Sequence, residues 1–118
     1  MSSFFSVIIP TYNRADILPI AIASVINQKY QDWELIVVDD GSTDNTKEVV
    51  EGIDDSRVKY LYQQNAERSA ARNNGVDHSQ GKYICFLDSD DFYEENYLQE
   101  MYNHIIEHNF PVELIIGS

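Results

Sequence analysis

In the stretch "KYICFLDSDDFY" (Lys82 to Tyr93), Asp88, Asp90 and Asp91 crowd three carboxylates into four residues, directly behind an apolar run. Two unit charges 4 Å apart repel by about 1 kcal/mol in water and about 4 kcal/mol at an effective dielectric of 20. A hard divalent cation, Mn²⁺ or Mg²⁺, removes that penalty, because carboxylate oxygens are its preferred ligands. Its usual set is one or two carboxylates plus substrate phosphates, with no need for His or Cys. Helix capping accounts for the same cluster without a metal, since Asp90 or Asp91 would be stabilised at the positive end of a following helix. This loop alone leaves both readings standing.

Two further stretches carry polar chemistry. In "VVDDGS", Asp39 and Asp40 close an apolar run and Gly41 permits a tight turn. An acid so placed can hydrogen-bond a nucleotide's base or ribose, or it can simply hold the turn and cap the next helix. "PTYN" offers the ring of Tyr12 to a base, and backbone N–H groups near a helix start; a plain strand–helix connection reads the same way. No G-x-G-x-x-G follows the first apolar run and no G-x-x-x-x-G-K-[ST] occurs, so the common phosphate-cradling loops are absent. His78, His104 and His108 are scattered surface candidates. No Ser–His–Asp or Cys–His arrangement suggests a hydrolytic nucleophile.

The elements that must position these loops alternate in type. "FSVII" (Phe5 to Ile9) predicts a buried strand closed by Pro10. Apolar residues at Ile17, Leu18, Ala21, Ile22, Val25 and Ile26 then have helical spacing, with Asp16 as N-cap and Pro19 in the first turn. "ELIVV" predicts a second strand, and a short helix over about 45–51 is capped from Ser42–Asp44. "RVKYLYQ" predicts a third strand near the sheet edge. A helix over about 68–77, the strand "KYICFL" and a helix over about 94–108 follow, the last burying Leu98, Met101, Tyr102, Ile105 and Ile106. "VELIIGS" begins a fifth strand. Strands alternating with helices predict an α/β fold, a mostly parallel sheet with helices on both faces. Ligands in such sheets sit outside the carboxyl ends of the strands, where strand order reverses. That rule selects "PTYNR", "DDGS" and "DSDD".

Composition sets the outer bounds. The 118 residues suffice for one domain, and 20 acidic against 8 basic residues give a net charge of −12. Nucleic-acid tracking needs a basic stripe and is excluded, as is electrostatic docking on anionic lipid. No apolar run approaches the roughly 20 residues that cross a bilayer, so direct membrane insertion is not expected. The lone Cys85, inside "YICFL", reads as a small buried hydrophobe and points to a reducing, cytoplasmic setting.

Taken in order and spacing, "FSVIIPTYNR", "WELIVVDDGSTDNT", "NAERSAARNNG" and "GKYICFLDSDD" resemble the N-terminal half of family 2 glycosyltransferases. The resemblance implies a GT-A, Rossmann-like fold and an inverting, metal-dependent transfer of sugar from a nucleotide-diphosphate sugar, with a UDP-sugar favoured, to an acceptor hydroxyl, as in polysaccharide biosynthesis. By motif position, Thr11 and Tyr12 would line the nucleotide pocket, and Asp40, with Asp39 beside it, would contact a uracil-type base. Arg72 matches the family arginine near the nucleotide. Asp88 and Asp90 form the D-x-D motif that meets Mn²⁺ or Mg²⁺, with Asp91 an additional ligand.

Two departures from the family pattern stand out. Glu67 occupies a place where the family often has Gly. Only 28 residues follow Asp90, whereas family members continue into a half that binds the acceptor and supplies the general base. The expectation is therefore a single donor-binding domain over 1–118, truncated after the fifth strand, with no residue assignable as the base. Apolar surface left bare where the second half would pack would favour a homodimer. A non-catalytic nucleotide-sugar-binding or assembly module of the same fold is the alternative. A signalling receiver domain would need a lysine after the fifth strand, and "VELIIGS" has none.

Overall fold

A computed structural model of the chain describes residues 3–108 and the backbone of 115–116. Five strands form one sheet in the order β3-β2-β1-β4-β5, and every neighbouring pair is parallel. These are β1 (Phe5–Thr11), β2 (Trp33–Asp40), β3 (Val58–Gln63), β4 (Tyr83–Phe86) and β5 (Ile115–Ile116). The helices are α1 (Leu18–Ile26), α2 (Thr46–Glu51), α3 (Arg68–His78) and α4 (Tyr97–His108). The chain runs outward from β1 through β2 to β3, then returns to lay β4 and β5 on the other side. The reversal falls between β1 and β4. The rest of the predicted fifth strand lies outside the described residues.

The two central strands are buried along their whole length, which is why they read as continuous apolar runs rather than alternating ones. Phe5, Val7 and Ile9 join Leu35 and Val37 in a core built with α1, α2 and α4 residues such as Ile22, Val50 and Leu98. On the opposite face, Ile8, Ile36 and Val38 pack against Ala71 of α3. Gly75 lets α3 approach so closely that a Cβ there would lie 2.6 Å from Ile8 Cγ2. Cys85 is fully buried, as expected, and burial pushes its thiol up to about 12. Among the described residues no helix is long and apolar enough to cross a membrane.

Several expectations are corrected. Pro10 does not close β1, which continues to Thr11. Ile8 accepts the Leu87 N–H on the β4 side, at 3.0 Å. By the two-residue alternation of a strand, Pro10's missing N–H faces that same side, past Phe86 where β4 has ended. No ladder bond is lost there. Asp16 does not cap α1, whose N-cap is Ile17 without a side-chain bond. The N–H groups in reach of Asp16 are unsuitable: Leu18 already donates to the Arg14 carbonyl, and Pro19 has none. In α4, Leu98 and Ile105 are buried and Met101 and Tyr102 partly so, but Ile106 is 57% exposed. It lies about 100° around the helix from Ile105.

Candidate functional site

The sheet's strand reversal opens a cavity of about 340 Å³, lined by Pro10, Thr11, Tyr12, Arg14, Asp40, Asn65, Ala66, Glu67, Arg68, Ala71 and Ser89. All three loops selected from the sequence therefore reach one place. β4 stops three residues short of the reach of β1, so the sheet splays between them and the chain behind Leu87 turns away. Thr11 sits on the exposed end of this splay, yet only 4% of it meets solvent, and its Oγ1 has no hydrogen-bond partner. An unpaired buried hydroxyl costs about 1–3 kcal/mol. Such a cost is tolerated where a ligand completes the bond.

The first two loops are stitched to each other. Asn13, in the left-handed region at φ 52°, donates its N–H to Ser42 Oγ at 2.8 Å and accepts the Thr43 N–H at 2.7 Å. The Ala15 N–H donates to Asp44 Oδ2 at 3.1 Å, while Asp44 Oδ1 accepts the Thr46 N–H and hydroxyl. The Thr46 hydroxyl in particular holds the Asp44 carboxyl below its ordinary value. Of the "PTYN" backbone N–H groups, that of Asn13 is thus engaged by the neighbouring loop, and α1 begins well beyond Tyr12. Tyr12 itself is 47% exposed at the cavity mouth.

Asp39 and Asp40 part company. Asp40 is 7% exposed and lines the cavity; its Oδ1 accepts from Gln63 Nε2 at 2.8 Å and the Ala66 N–H at 2.9 Å. Asn65 Nδ2 donates to the Asp40 carbonyl at 2.9 Å, fixing the wall ahead of α3. Asp39 faces a separate depression with Ser42, Asp44, Lys47, Tyr60 and Tyr62. Its Oδ1 accepts the Ser42 N–H at 2.9 Å, a turn-holding bond, and its Oδ2 accepts the Tyr60 hydroxyl at 2.6 Å. Gly41 between the loops has φ 81°, and a Cβ there would meet Asn65 N at 2.6 Å.

The charge that relieves the "DSDD" loop comes from arginines. Arg68 Nη2 donates to Asp88 Oδ1 at 3.0 Å, and Arg72 Nη2 lies 3.6 Å from the same oxygen. Arg14 Nη1 meets Asp90 Oδ2 at 3.4 Å. The Arg72 guanidinium also rests 5.0 Å over the Phe86 ring. Asp91 turns to its own loop, accepting the Phe92 N–H at 2.8 Å. Helix capping does not explain this cluster, because α4 begins only at Tyr97. Among the described residues no three His, Cys, Asp or Glu side chains form a group that could hold a metal ion.

Arg14 and Arg68 are the basic residues of the cavity lining, and motif reading assigned neither. Arg14 was visible only as the last letter of "PTYNR", and Arg68 follows the Glu67 departure. Glu67 itself adopts extended backbone at φ −165°, which any residue can take, so glycine is not required there.

The family model described as Glycosyl transferase family 2 matches residues 6–114, and the chain belongs to that family. It is 41% identical over 115 residues to glycosyltransferase GlyA of Streptococcus pneumoniae, a match spanning 96% of this chain and 16% of the relative. It is 40% identical over 105 residues to the Escherichia coli UDP-Glc:alpha-D-GlcNAc-diphosphoundecaprenol beta-1,3-glucosyltransferase WfgD, spanning 88% of this chain and 42% of that one. Among solved structures, S. aureus TarS in complex with UDP-GlcNAc superposes with a TM-score of 0.82 at 31% identity, over 92% of this chain and 32% of TarS. The fold is that of the GT-A glycosyltransferases. The chain spans less than half the length of each of these relatives.

Proposed function

We propose that the cavity takes the nucleotide diphosphate of a sugar donor, a UDP-sugar in the first instance. The sugar would then pass to an acceptor hydroxyl with inversion. The observation that carries the reading is the buried, unpartnered Thr11 hydroxyl in a cavity walled by Asp40 and by Arg14 and Arg68. In this reading Asp40 would accept from a uracil-type base, and the half-exposed Tyr12 ring would pack against it. Arg68 and Arg72 offer planar forks suited to phosphate oxygens. The solved complex of TarS with UDP-GlcNAc, a relative at 31% identity, supports the same ligand class.

A divalent cation fits this site as a shared guest rather than a resident ion. Among the described residues there is no all-protein cage, but Asp90 is 55% exposed on its side chain and has one arginine contact at 3.4 Å. One or two carboxylates completed by diphosphate oxygens is the ordinary Mn²⁺ or Mg²⁺ arrangement. Asp90, with Asp88 and Asp91 beside it, would hold the ion. When bound, it would offset the charge that gathers on the leaving diphosphate. A cytoplasmic setting belongs to the same reading, supported by the single buried thiol of Cys85.

Calorimetric titration of UDP in the presence of Mn²⁺ tests the proposal. Binding is expected in the wild type, weakened at least about tenfold by Asp90→Ala, the loss of one charged ligand contact. Absence of binding, or binding indifferent to Asp90→Ala, would sink it.

A further inference from the structure

We propose that Arg14 and Arg68 act as exchange residues. In the free chain they neutralise Asp90 and Asp88; on donor binding they turn to diphosphate oxygens as the acids turn to the cation. The proposal rests on the donor-site reading above and goes beyond it, because it makes cation and arginine competitors for the same carboxylates.

The two arginines reach the cavity from opposite sides, Arg14 from the loop behind β1 and Arg68 from the first turn of α3. Both are accessible, with side chains 47% and 63% exposed. Ion pairs this exposed shift an equilibrium by no more than about fivefold, so breaking them is cheap. The alternative partner is better, since guanidinium forks bind phosphate oxygens with two parallel charge-assisted bonds. The Thr11 hydroxyl independently marks the cavity as built for a ligand, being 4% exposed and without a partner.

Charge matching makes the exchange cooperative. A cation arriving alone must displace guanidinium groups and leave them beside a doubly positive ion. A diphosphate arriving alone must approach Asp88, Asp90 and Asp91 with nothing to offset them. Arriving together, the two guests pair with both sets. Cation and nucleotide should therefore each bind better in the other's presence, by the same factor.

The test measures Mn²⁺ alone and UDP at saturating Mn²⁺ on the 118-residue chain, by calorimetry and by the spin-resonance signal of free Mn²⁺. Wild type is compared with Arg14→Gln, Arg68→Gln and the charge-keeping Arg14→Lys, each checked for an unchanged melting curve. In the Gln variants, Mn²⁺ alone should bind about three- to fivefold tighter, while UDP with Mn²⁺ weakens about tenfold. Arg14→Lys should leave the Mn²⁺ affinity within about twofold. If the two affinities move together, or neither moves, while the wild type binds UDP, the exchange is wrong and the donor site survives. If the wild type binds no UDP with Mn²⁺, the donor reading falls and the exchange falls with it.

Discussion

Tyr60 of the edge strand donates its hydroxyl proton to Asp39 Oδ2 at 2.6 Å, tying β3 to the carboxyl end of β2. Asp39 is 2% exposed, so this bond and the Ser42 N–H carry its desolvation. Burial first, then the Asp39 carboxylate, push the Tyr60 phenol far above its ordinary value, and the phenol stays a donor throughout the working pH range. Tyr60→Phe removes the donor and leaves a buried carboxylate oxygen short of a partner. A loss of about 1–3 kcal/mol is expected in urea unfolding. Nucleotide binding should change far less than in Asp40→Asn, because Asp39 faces away from the cavity.

Glu34 supplies a pH dependence. It is 3% exposed and accepts from Ser6 Oγ at 2.5 Å, Lys59 Nζ at 2.8 Å and the Gln80 N–H at 2.6 Å. Burial works to raise its carboxyl, but the bonds from Lys59, Ser6 and Gln80 outweigh it and hold the group below its ordinary 4.5. A depressed carboxyl contributes stability that is complete above the unfolded value and is lost as pH falls through the folded one. Wild-type stability should therefore drop on acidification below about 4.5. Glu34→Gln should cost about 1–3 kcal/mol at neutral pH and flatten that part of the acid profile. An unchanged profile would count against the network.

Gly75→Ala tests the seat of α3. The added methyl would lie 2.6 Å from Ile8 Cγ2, the branch carbon of a fully buried strand residue. Helix propensity favours Ala by about 1 kcal/mol, and overpacking costs about 1–3 kcal/mol. A net destabilisation of up to about 2 kcal/mol is expected, read as a lowered melting temperature. A raised melting temperature would show that α3 can back away.

Gly41→Ala combines two penalties. The backbone stands at φ 81°, and a Cβ would meet Asn65 N at 2.6 Å, an atom of the cavity wall that cannot rotate away. Strain of about 1–3 kcal/mol is expected. UDP affinity should fall as well, because Asn65 holds the Asp40 carbonyl. Stability lost with affinity unchanged would separate this turn from the site.

The sheet was legible because β-branched runs mark strands whatever lies next to them, and their alternation with helices implies a parallel sheet covered on both faces, while the strand order came only from the structure. Edge placement of β3 followed from its weaker pattern, and the three polar loops followed from topology. What escaped depended on which partner each polar group meets, sometimes close by and sometimes distant in sequence. Whether Asp16 caps α1 turns on a carbonyl at Arg14 and a proline at 19. Whether Asp39 or Asp40 faces the cavity turns on Tyr60 and Ala66, more than 20 residues away. The countercharge to "DSDD" proved hardest, since Arg14 and Arg68 lie 76 and 20 residues from the acids they meet. Charge counting announced that something positive was needed, but could not choose between an ion and a side chain.

Pro10 has a further consequence. Past Phe86, β1 has a bare flank, and parallel strands readily lengthen by adding one rung at a time. Any other residue at position 10 would offer an N–H to the segment behind Leu87 and invite it to zip onward. Proline withholds that rung. The gap between β1 and β4 is kept open by a bond that cannot form, a one-atom stop against the sheet sealing its own cleft.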